Sequence, residues 1–408
     1  MKKTFGLLGQ KLGHSYSPMI HGYLGDYEYP LYEVCPDDLD GFMKSGRFDG
    51  LNVTIPYKQA VIPYCNSLTD EARAIGSVNT IVRDANGLLH GFNTDRHGFA
   101  VMLERAKIDP RGKKTLVLGD GGSARAVRAA LGGLDAGEVV TISRRGENHY
   151  GNIDRHHDAE IIINTTPVGM YPGNGLSPLD LEGFVRLEGA ADLIYNPLRT
   201  KLLLGAEKMG LPCTGGLTML VAQAEMASRL FLGLPARPEL VDGILSGLIG
   251  KIRNIALIGM PGSGKSSAGR RLAEIMGRPF SDTDELVEAA AGKTIPEIIE
   301  KDGEEAFRLL ETRQLDAETK KHGLVIATGG GVVTRPENLD LLRQNSLIVY
   351  LKRELSGLDT TGRPLSQSIG IRALAEQRLH LYEAWSDRSV QADPDPGRTA
   401  SRILEEVL

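Results

Sequence analysis

The fold of the C-terminal part of the chain is decided by one stretch, Gly259-Met260-Pro261-Gly262-Ser263-Gly264-Lys265-Ser266. An apolar run over residues 255–258 precedes it, and a helical pattern over residues 268–276 follows it. This order of strand, glycine loop and helix fits G-x-x-x-x-G-K-[ST], the pattern of phosphate-binding loops. Backbone N–H groups and the positive helix end can surround a phosphate, Lys265 can reach the β- and γ-phosphates, and Ser266 can ligate Mg²⁺. A flexible glycine turn is the alternative, which the full set of features disfavours, so the sequence predicts a nucleoside triphosphate site.

The composition limits the class of protein. With 408 residues the chain is too long for one ordinary core, so two or three domains are expected. The formal net charge of -5 and the lack of a basic run argue against nucleic-acid binding. No apolar run is long enough to span a bilayer, and the apolar start is too short for a signal peptide, so no membrane partner is expected. The three cysteines, Cys35, Cys65 and Cys213, form no C-x-x-C pair, which indicates reduced thiols and a cytoplasmic location.

Apolar runs and helical patterns alternate along the chain, which predicts an α/β fold. Strands are predicted over residues 4–8, 51–55, 78–82, 115–118, 139–142, 161–164 and 324–327. A long apolar helix is predicted over residues 217–232 and an amphipathic helix over residues 399–408. The candidate domain boundary is residues 235–250, whose apolar positions predict a packed helix. The same apolar stretch is equally compatible with a dimer interface, so a homo-oligomer stays open.

A second glycine loop follows the strand over residues 115–118, with the sequence Gly119-Asp120-Gly121-Gly122-Ser123-Ala124. It fits G-x-G-x-x-[GA], the fingerprint of a dinucleotide pyrophosphate site. An NAD enzyme usually carries an acidic residue at the end of the next strand, where this chain has Ser143-Arg144-Arg145. Two guanidinium groups suit a 2′-phosphate, so NADP is favoured. The alternative is that both arginines are merely solvated.

Three further stretches carry polar residues at the ends of predicted elements. They are Ser15-Tyr16-Ser17-Pro18, Asn52-Val53-Thr54-Ile55-Pro56-Tyr57-Lys58 and Asn93-Thr94-Asp95. Each has a purely structural interpretation, since Ser17 before Pro18 is a good helix N-cap and Asp95 can cap the helix that follows it.

Together these stretches resemble the shikimate dehydrogenase family, whose motifs occur in order over nearly all of residues 4–232. The matching motifs are S-x-S-P at residues 15–18, N-V-T-x-P-x-K at 52–58, V-N-T at 78–80, N-T-D at 93–95, the glycine loop at 119–123, N-x-T-P at 164–167, Y-N-P at 195–197 and G-x-x-M-L-x-x-Q at 216–223. So many ordered matches leave no room for chance agreement.

The resemblance implies that Lys58 donates a proton to the substrate's ring oxygen as hydride arrives from NADPH, and that Asp95 orients the substrate and the lysine. Reduction of a ketone needs such a donor beside the developing alkoxide. Contacts to the substrate's carboxylate and hydroxyls are implied for Ser15, Ser17, Thr54, Asn79, Tyr195 and Gln223. The cofactor is expected near Asp70, Gly119, Asp120, Gly121, Gly122, Ser123, Ser143, Arg144, Arg145, Leu193 and Gly216. The chain departs from the family at Asp120, where alanine is usual, and at residues 143–145, where Asn-Arg-Thr is usual.

The phosphate loop does not identify the substrate that accepts the phosphoryl group, so other motifs must indicate it. Asp282-Thr283-Asp284 follows a short apolar stretch, and on an extended segment both carboxylates would point to the same side. One can serve Mg²⁺ while the other activates a hydroxyl; a solvated acidic turn is the alternative. Gly329, Gly330 and Gly331 end a strand, which allows a close approach of backbone to ligand or only a turn. The alternative role of Arg308 is to form salt bridges along a helix. The alternative for Arg378 and Tyr382 is that they form only a surface pair one helical turn apart.

In this order the motifs resemble the shikimate kinase family over residues 253–408. They are the phosphate loop, D-x-D, F-R-x-x-E at residues 307–311, G-G-G, R-P-L at 363–365 and R-x-x-L-Y at 378–382. The resemblance implies ATP contacts from Pro261, Gly262, Ser263, Gly264, Lys265, Ser266 and Arg363, and Mg²⁺ contacts from Ser266 and Asp282. It implies that Asp284 takes the proton of the acceptor hydroxyl, that Arg308 and Arg378 hold the substrate's carboxylate, and that Gly330 contacts the ring. The lid over residues 351–363 is several residues shorter than is usual, and His380 replaces a proline.

The two resemblances name successive reactions, because the product of the first is the substrate of the second. Together the resemblances imply a bifunctional enzyme that reduces 3-dehydroshikimate with NADPH and phosphorylates shikimate with ATP and Mg²⁺. The predicted domains are a substrate domain (1–98 and 215–236), a Rossmann NADP domain (99–214), a linker helix (237–252) and a P-loop kinase domain with a parallel sheet (253–408). Two alternative functions stay open. The second half could be a nucleotide-sensing module, and the first half could be a quinate-type dehydrogenase that uses NAD.

Overall fold

The structure is a computed structural model that describes residues 2–13, 15–358 and 370–407. The chain divides into two compact units, Met1–Leu248 and Ile249–Leu408. Three separate sheets with flanking helices confirm the α/β class. Within the described ranges, no helix combines the length and the apolar character that a membrane span requires.

The first sheet of the first unit is mixed. Its strands are β1 Phe5–Gly9, β2 Leu31–Glu33, β3 Gly50–Val53, β4 Ser67–Leu68, β5 Thr80–Arg83 and β6 Leu89–Phe92, in the order β2-β1-β3-β5-β6-β4. Its helices are α1 Ser17–Leu24, α2 Leu39–Ser45 and α3 Asp70–Ile75. Strand β5 runs antiparallel to β3 and to β6. The ends of β3 and β6 and the start of β5 therefore meet at one edge of the sheet.

The second sheet of this unit is wholly parallel. Its strands are β7 Thr115–Leu118, β8 Val139–Ile142, β9 Ile161–Asn164, β10 Gly189–Asp192 and β11 Cys213–Gly215, in the order β11-β10-β9-β7-β8. The helices are α4 Asp95–Arg105, α5 Gly122–Gly133, α6 Lys201–Lys208 and α7 Leu217–Leu232. Successive strand residues point to opposite faces, so Val117 packs with α4 and α5 and Leu116 packs with α6. Chain order reverses beside β7, and such a point opens a ligand crevice at the strand ends.

The second unit is built on a parallel sheet with helices on both faces. Its strands are β12 Asn254–Ile258, β13 Phe280–Asp282, β14 Val325–Ala327, β15 Ser346–Lys352 and β16 Arg388–Gln391, in the order β13-β14-β12-β15-β16. Its helices are α9 Lys265–Met276, α10 Thr283–Ala291, α11 Ile295–Asp302, α12 Glu304–Thr319, α13 Glu337–Asn345, α14 Ile371–Trp385 and α15 Pro396–Val407. Helix α8 Glu239–Ile252 contains the boundary between the units. Because the strands are parallel, the segments after β12, β13, β14 and β15 all leave the same edge of the sheet.

Candidate active sites

The centre of the site in the first unit is an ion pair at one edge of the mixed sheet. Lys58 lies in the segment after β3, and Asp95 is the first residue of α4. Lys58 Nζ donates to Asp95 Oδ2 across 2.6 Å, and 17% and 10% of the two side chains are exposed. Asn79, just before β5, donates from Nδ2 to Asp95 Oδ1 at 2.8 Å. Both carboxylate oxygens of Asp95 are therefore bound, which fixes the position of the lysine ammonium group.

A buried hydrogen-bond network holds this pair from behind. The Thr94 backbone N–H donates to Asn79 Oδ1 at 2.7 Å, and the Thr94 hydroxyl donates to Gln223 Oε1 of α7 at 3.1 Å. Asn52 donates to the Thr80 hydroxyl at 3.1 Å. These residues belong to the motifs of the first unit, but no role was predicted for Thr94, Asn52 or Thr80. Their partners lie far apart in sequence, so no local pattern marks the network.

The other predicted substrate contacts lie on the elements around the pair. Helix α1 begins at Ser17, and its N-cap is Tyr16 without a side-chain cap, so the N-cap interpretation of Ser17 is wrong. The Ser17 backbone N–H instead donates to Ser15 Oγ at 3.2 Å. The ring of Tyr195 packs 5.4 Å from that of Tyr16, and burial raises the pKa of Tyr195, which keeps its hydroxyl protonated. Among the described residues, no direct hydrogen bond joins Ser15, Ser17, Thr54 or Tyr195 to the ion pair.

The second glycine loop connects β7 to α5 at the crevice of the parallel sheet. Gly119 has φ +104°, and a Cβ there would lie 2.8 Å from Thr165 Oγ1, so only glycine fits. A Cβ on Gly121 or Gly122 would meet nothing within 4 Å. The backbone of the loop is therefore open on the side of the helix N-terminus, which fits a pyrophosphate. Asp120 is exposed, so its carboxylate need not enter the loop.

The remaining predicted cofactor residues line the ends of neighbouring elements. Arg144 and Arg145 follow β8 and are exposed, and the Ser143 hydroxyl donates to the Arg145 carbonyl at 2.5 Å. Asp70 is exposed at the start of α3. The carbonyl of Leu193 fills the space that a Cβ on Gly216 would need, so these two residues touch. Two cations after β8 and an open glycine loop fit NADP, whose 2′-phosphate is the anionic group that distinguishes it from NAD.

A buried carboxylate at the end of β10 connects the elements around this crevice. It was not predicted as a site residue from the sequence. Asp192 is fully buried and accepts hydrogen bonds from Asn164 Nδ2 at 3.1 Å, from the Ile194 backbone at 3.0 Å and from the Thr200 hydroxyl at 2.7 Å. It thereby joins the end of β9, its own loop and the N-cap of α6. Burial raises the pKa of Asp192 to about 6, against the hydrogen bonds that favour the ionised form.

We expect Asp192 to make the first unit less stable as the pH rises from about 4 to 6. Its folded pKa lies above its unfolded one, so the native state binds a proton in this window and loses that advantage as the proton dissociates. Asp192→Asn should remove this dependence on pH. Between pH 4 and 7, the free energy of unfolding of the unmodified chain should therefore fall by about 3 kcal/mol at most, compared with that of the variant. Thermal unfolding followed by circular dichroism at several pH values measures the difference. The exposed Asp180→Asn is the control, and a difference that grows in the opposite direction contradicts the expectation.

The phosphate loop of the second unit connects β12 to α9 as the sequence predicts. Lys265 is buried and donates from Nζ to the carbonyl oxygens of Gly259 at 2.9 Å and Met260 at 3.0 Å. The hydroxyl of Ser263 is buried without a hydrogen-bond partner among the described residues. Ser266 is exposed in the first turn of α9. A lysine folded over the loop, an unsatisfied hydroxyl and a helix N-terminus fit a nucleotide phosphate, and the exposed Ser266 hydroxyl fits its Mg²⁺.

Asp282 and Asp284 lie close to Gly329, which follows β14, but they do not have the predicted extended conformation. The chain turns into α10 at Thr283, so Asp282 is the N-cap and its Oδ1 accepts from the Asp284 backbone N–H at 3.0 Å. The two carboxylates therefore do not share one face of an extended segment, because the second belongs to the first helical turn. A Cβ on Gly329 would lie 2.6 Å from Asp284 Oδ1, which places this oxygen directly against the glycines.

Two buried guanidinium groups lie against the same three glycines. Arg308 is 5% exposed and donates from Nη1 to Glu311 Oε2 at 2.8 Å and from Nη2 to Glu304 Oε1 at 3.1 Å. The helix salt bridges named as its alternative are thus present. Burial lowers the pKa of Arg308, but Glu311 and Glu304 outweigh it and leave the pKa raised. Glu311 is fully buried, and Gly331 leaves no room for a Cβ beside the Arg308 guanidinium.

Arg378 differs from Arg308 in its partners. It is 4% exposed, so the surface-pair interpretation is wrong, and its Nη1 donates to the Gly330 carbonyl at 3.2 Å. Tyr382 is also buried and donates to the same carbonyl. Burial lowers the pKa of Arg378, and the charge of Arg308 adds to this effect. No carboxylate pairs with Arg378 among the described residues, so this buried cation suits an incoming anion. Arg363 lies outside the described residues.

Comparison with known proteins matches both halves of the chain. Residues 7–81 match the family model for the shikimate dehydrogenase substrate binding domain, and residues 261–408 match that for shikimate kinase. A shikimate dehydrogenase (NADP(+)) from Clostridium perfringens strain SM101 is 39% identical over 254 residues, which cover 57% of this chain and 93% of that protein. Both resemblances stated from the motifs are confirmed.

Solved structures agree with the first half. A chorismate mutase/shikimate 5-dehydrogenase fusion protein from Clostridium acetobutylicum has a TM-score of 0.58 at 36% identity, covering 61% of this chain and 97% of its own. Shikimate 5-dehydrogenase from Thermus thermophilus, in complex with NADP(H) and shikimate, has a TM-score of 0.55 at 32% identity, covering 60% and 99%. The chain therefore belongs to the shikimate dehydrogenase family over its first unit and carries a shikimate kinase domain in its second.

Proposed function

We propose that the chain reduces 3-dehydroshikimate to shikimate with NADPH and then phosphorylates shikimate to shikimate 3-phosphate with ATP and Mg²⁺. The observation that carries the proposal is that each unit brings together polar residues that suit one of two successive reactions, the Lys58–Asp95 pair in the first unit and Lys265, Asp284 and Arg378 in the second. Residues 1–98 and 215–236 would bind the substrate of the first reaction, residues 99–214 its cofactor, and residues 253–408 would form the kinase, with residues 237–252 as the connecting helix.

In the first reaction Lys58 is the proton donor. NADPH would supply the hydride when bound, and the carbonyl oxygen of the substrate would then develop negative charge. The Lys58 ammonium group can release a proton to that oxygen, while Asp95, fixed by Asn79, keeps the ammonium in place. The carboxylate and the hydroxyls of the substrate require several polar partners. These would be the side chains of Ser15, Ser17, Thr54, Asn79, Tyr195 and Gln223.

The first unit should prefer NADPH to NADH because Arg144 and Arg145 follow β8. Reversing one charge by Arg144→Glu is expected to raise KM for NADPH by about 10-fold or more, since a charge-assisted contact is lost and a repulsion is added. KM for NADH should change little. Initial rates with both cofactors measure the effect, with the exposed Arg155→Glu as the control. Unchanged NADPH kinetics in Arg144→Glu would refute the assignment of this arginine.

In the second reaction the groups divide between the nucleotide and the acceptor. Lys265 can neutralise the transferring phosphoryl group, and Ser266 and Asp282 can hold Mg²⁺, which lowers the repulsion between the phosphates. Asp284 can take the proton of the acceptor hydroxyl, because its Oδ1 lies against Gly329 at the end of β14. Arg308 lies against Gly331 and Arg378 donates to the Gly330 carbonyl, so both can hold the acceptor's carboxylate. Arg363 is assigned to the phosphoryl group by resemblance alone.

A substitution that displaces the guanidinium group of Arg308 should lower the rate of the second reaction. A Cβ on Gly331 would overlap this buried group, so Gly331→Ala must displace it. We expect kcat/KM for shikimate to fall about 100-fold, as small displacements of a positioning group commonly cost this much. Steady-state kinetics measure the loss. The control is Gly250→Ala in α8, where a Cβ meets nothing within 4 Å and alanine favours the helix. Equal kinetics of both variants would contradict the role of Arg308.

Separate initial-rate assays test the proposal. The chain should oxidise NADPH with 3-dehydroshikimate faster than with 3-dehydroquinate, and should release ADP only when shikimate is present. A faster reaction with 3-dehydroquinate and NADH would make the first unit a quinate-type dehydrogenase. Binding of ATP without shikimate-dependent release of ADP would make the second unit a nucleotide-sensing module.

A further inference from the structure

Arg353 follows β15 and lies against the phosphate loop of the second unit. Strand β15 is a neighbour of β12, so the segment after it leaves the sheet at the edge that carries the loop. Arg353 Nη1 lies 3.7 Å from the position that a Cβ on Gly264 would occupy, and Gly264 immediately precedes Lys265. A second cation therefore borders the loop from an element that belongs to none of the motifs.

Two glycines of the described chain border the side chain of Arg353. Arg353 Nε lies 3.4 Å from the position of a Cβ on Gly357, so the side chain runs between two glycines. Among the described residues, no carboxylate lies within ion-pair distance of it. The preceding Lys352 is different, since its ammonium lies 3.4 Å from the Glu383 carboxylate and 5.6 Å from the Tyr350 ring centre. Two adjacent cations thus have different environments, and only Arg353 is directed to the phosphate loop.

We propose that Arg353 is a further nucleotide-binding residue of the kinase, and that its guanidinium group contacts the phosphate chain of ATP. Guanidinium groups bind phosphate oxygens in pairs, and the half-buried Arg353 borders a loop whose backbone N–H groups also suit phosphate. Arg353 is also the sole arginine between Leu351 and Arg363, the stretch that is shorter than usual in this chain. The inference rests on the proposed kinase function, since it assumes that the loop binds ATP.

The test compares two neighbouring substitutions in the full chain. Arg353→Gln is expected to raise KM for ATP and Kd for ADP about 10-fold, as a charge-assisted hydrogen bond is lost. KM for shikimate should stay within about 2-fold, and Arg353→Lys, which keeps the charge, should recover part of the affinity. Lys352→Gln is the matched control and should leave ATP kinetics unchanged. The dehydrogenase rate of the same samples reports the amount of folded chain.

Further outcomes separate this inference from its alternatives. A phosphate contact affects ATP and GTP by the same factor, whereas unequal factors would assign Arg353 to the base and overturn the phosphate contact. Unchanged ADP affinity in Arg353→Gln, or an equal loss in Lys352→Gln, would also overturn it. An unmodified chain that binds ADP but phosphorylates nothing contradicts the proposed function, while the ADP titrations still decide the role of Arg353. An unmodified chain that binds no ADP contradicts both.

Discussion

Lys58→Met is expected to lower kcat for the reduction of 3-dehydroshikimate by about 100- to 10,000-fold, the range that loss of a general acid costs. Methionine has a similar length and fills the same space, but it has no proton to give. The ion pair with Asp95 is lost as well, although Asn79 still binds the other oxygen of this carboxylate. Phosphorylation of shikimate should continue at its normal rate, because that site lies in the other unit.

The measurement is a pair of steady-state assays on one purified sample, with Lys44→Met as the control. Lys44 also forms an ion pair with an aspartate, but both side chains are exposed. If Lys58→Met reduced the ketone at more than a tenth of the normal kcat, Lys58 could not be the proton donor. If both activities fell together, the substitution would have damaged the fold.

Asp284→Asn is expected to lower kcat for phosphorylation by about 100- to 10,000-fold and to leave the reduction unchanged. Asparagine has almost the shape of aspartate and can keep the contact with Gly329, but its amide cannot accept the proton of the attacking hydroxyl. KM for shikimate should change less than kcat, since the two arginines that suit its carboxylate are untouched.

The next residue of α10 provides the control for this variant. Glu285 is exposed and pairs with Arg270, so Glu285→Gln removes a carboxylate from the same helical turn without touching the glycines. Normal turnover in Asp284→Asn would exclude Asp284 as the base. A rise in KM with unchanged kcat would make it a binding residue instead.

The buried parallel strands were the part of the fold that could be predicted from the sequence. The predicted strands over residues 115–118, 139–142 and 161–164 have the observed bounds, and so does the helix Leu217–Leu232. Strands covered on both faces appear as continuous apolar runs between polar turns, which a single sequence displays clearly. The mixed sheet was less predictable, and β3 ends at Val53 instead of residue 55 because the chain enters a turn at Thr54.

The candidate sites were predictable where a motif holds the residues close together. The phosphate loop is such a case, because its strand, glycines and lysine are consecutive. The conformation of residues 282–284 was predicted wrongly, because Asp282 acts as a helix N-cap and accepts from the Asp284 N–H, so the strand ends there instead of continuing. Asp192 and Arg353 were missed because a lone charged residue has no local pattern. Only the sheet order brings each of them to a ligand crevice.

The central claim is that one chain performs both reactions in succession. The most direct test is a single incubation of the purified chain with 3-dehydroshikimate, NADPH, ATP and Mg²⁺, followed by identification of the products by mass. We expect shikimate 3-phosphate, with one NADP⁺ and one ADP formed for each molecule. Shikimate that accumulates without phosphorylation, or 3-dehydroshikimate that is left unchanged, would contradict it.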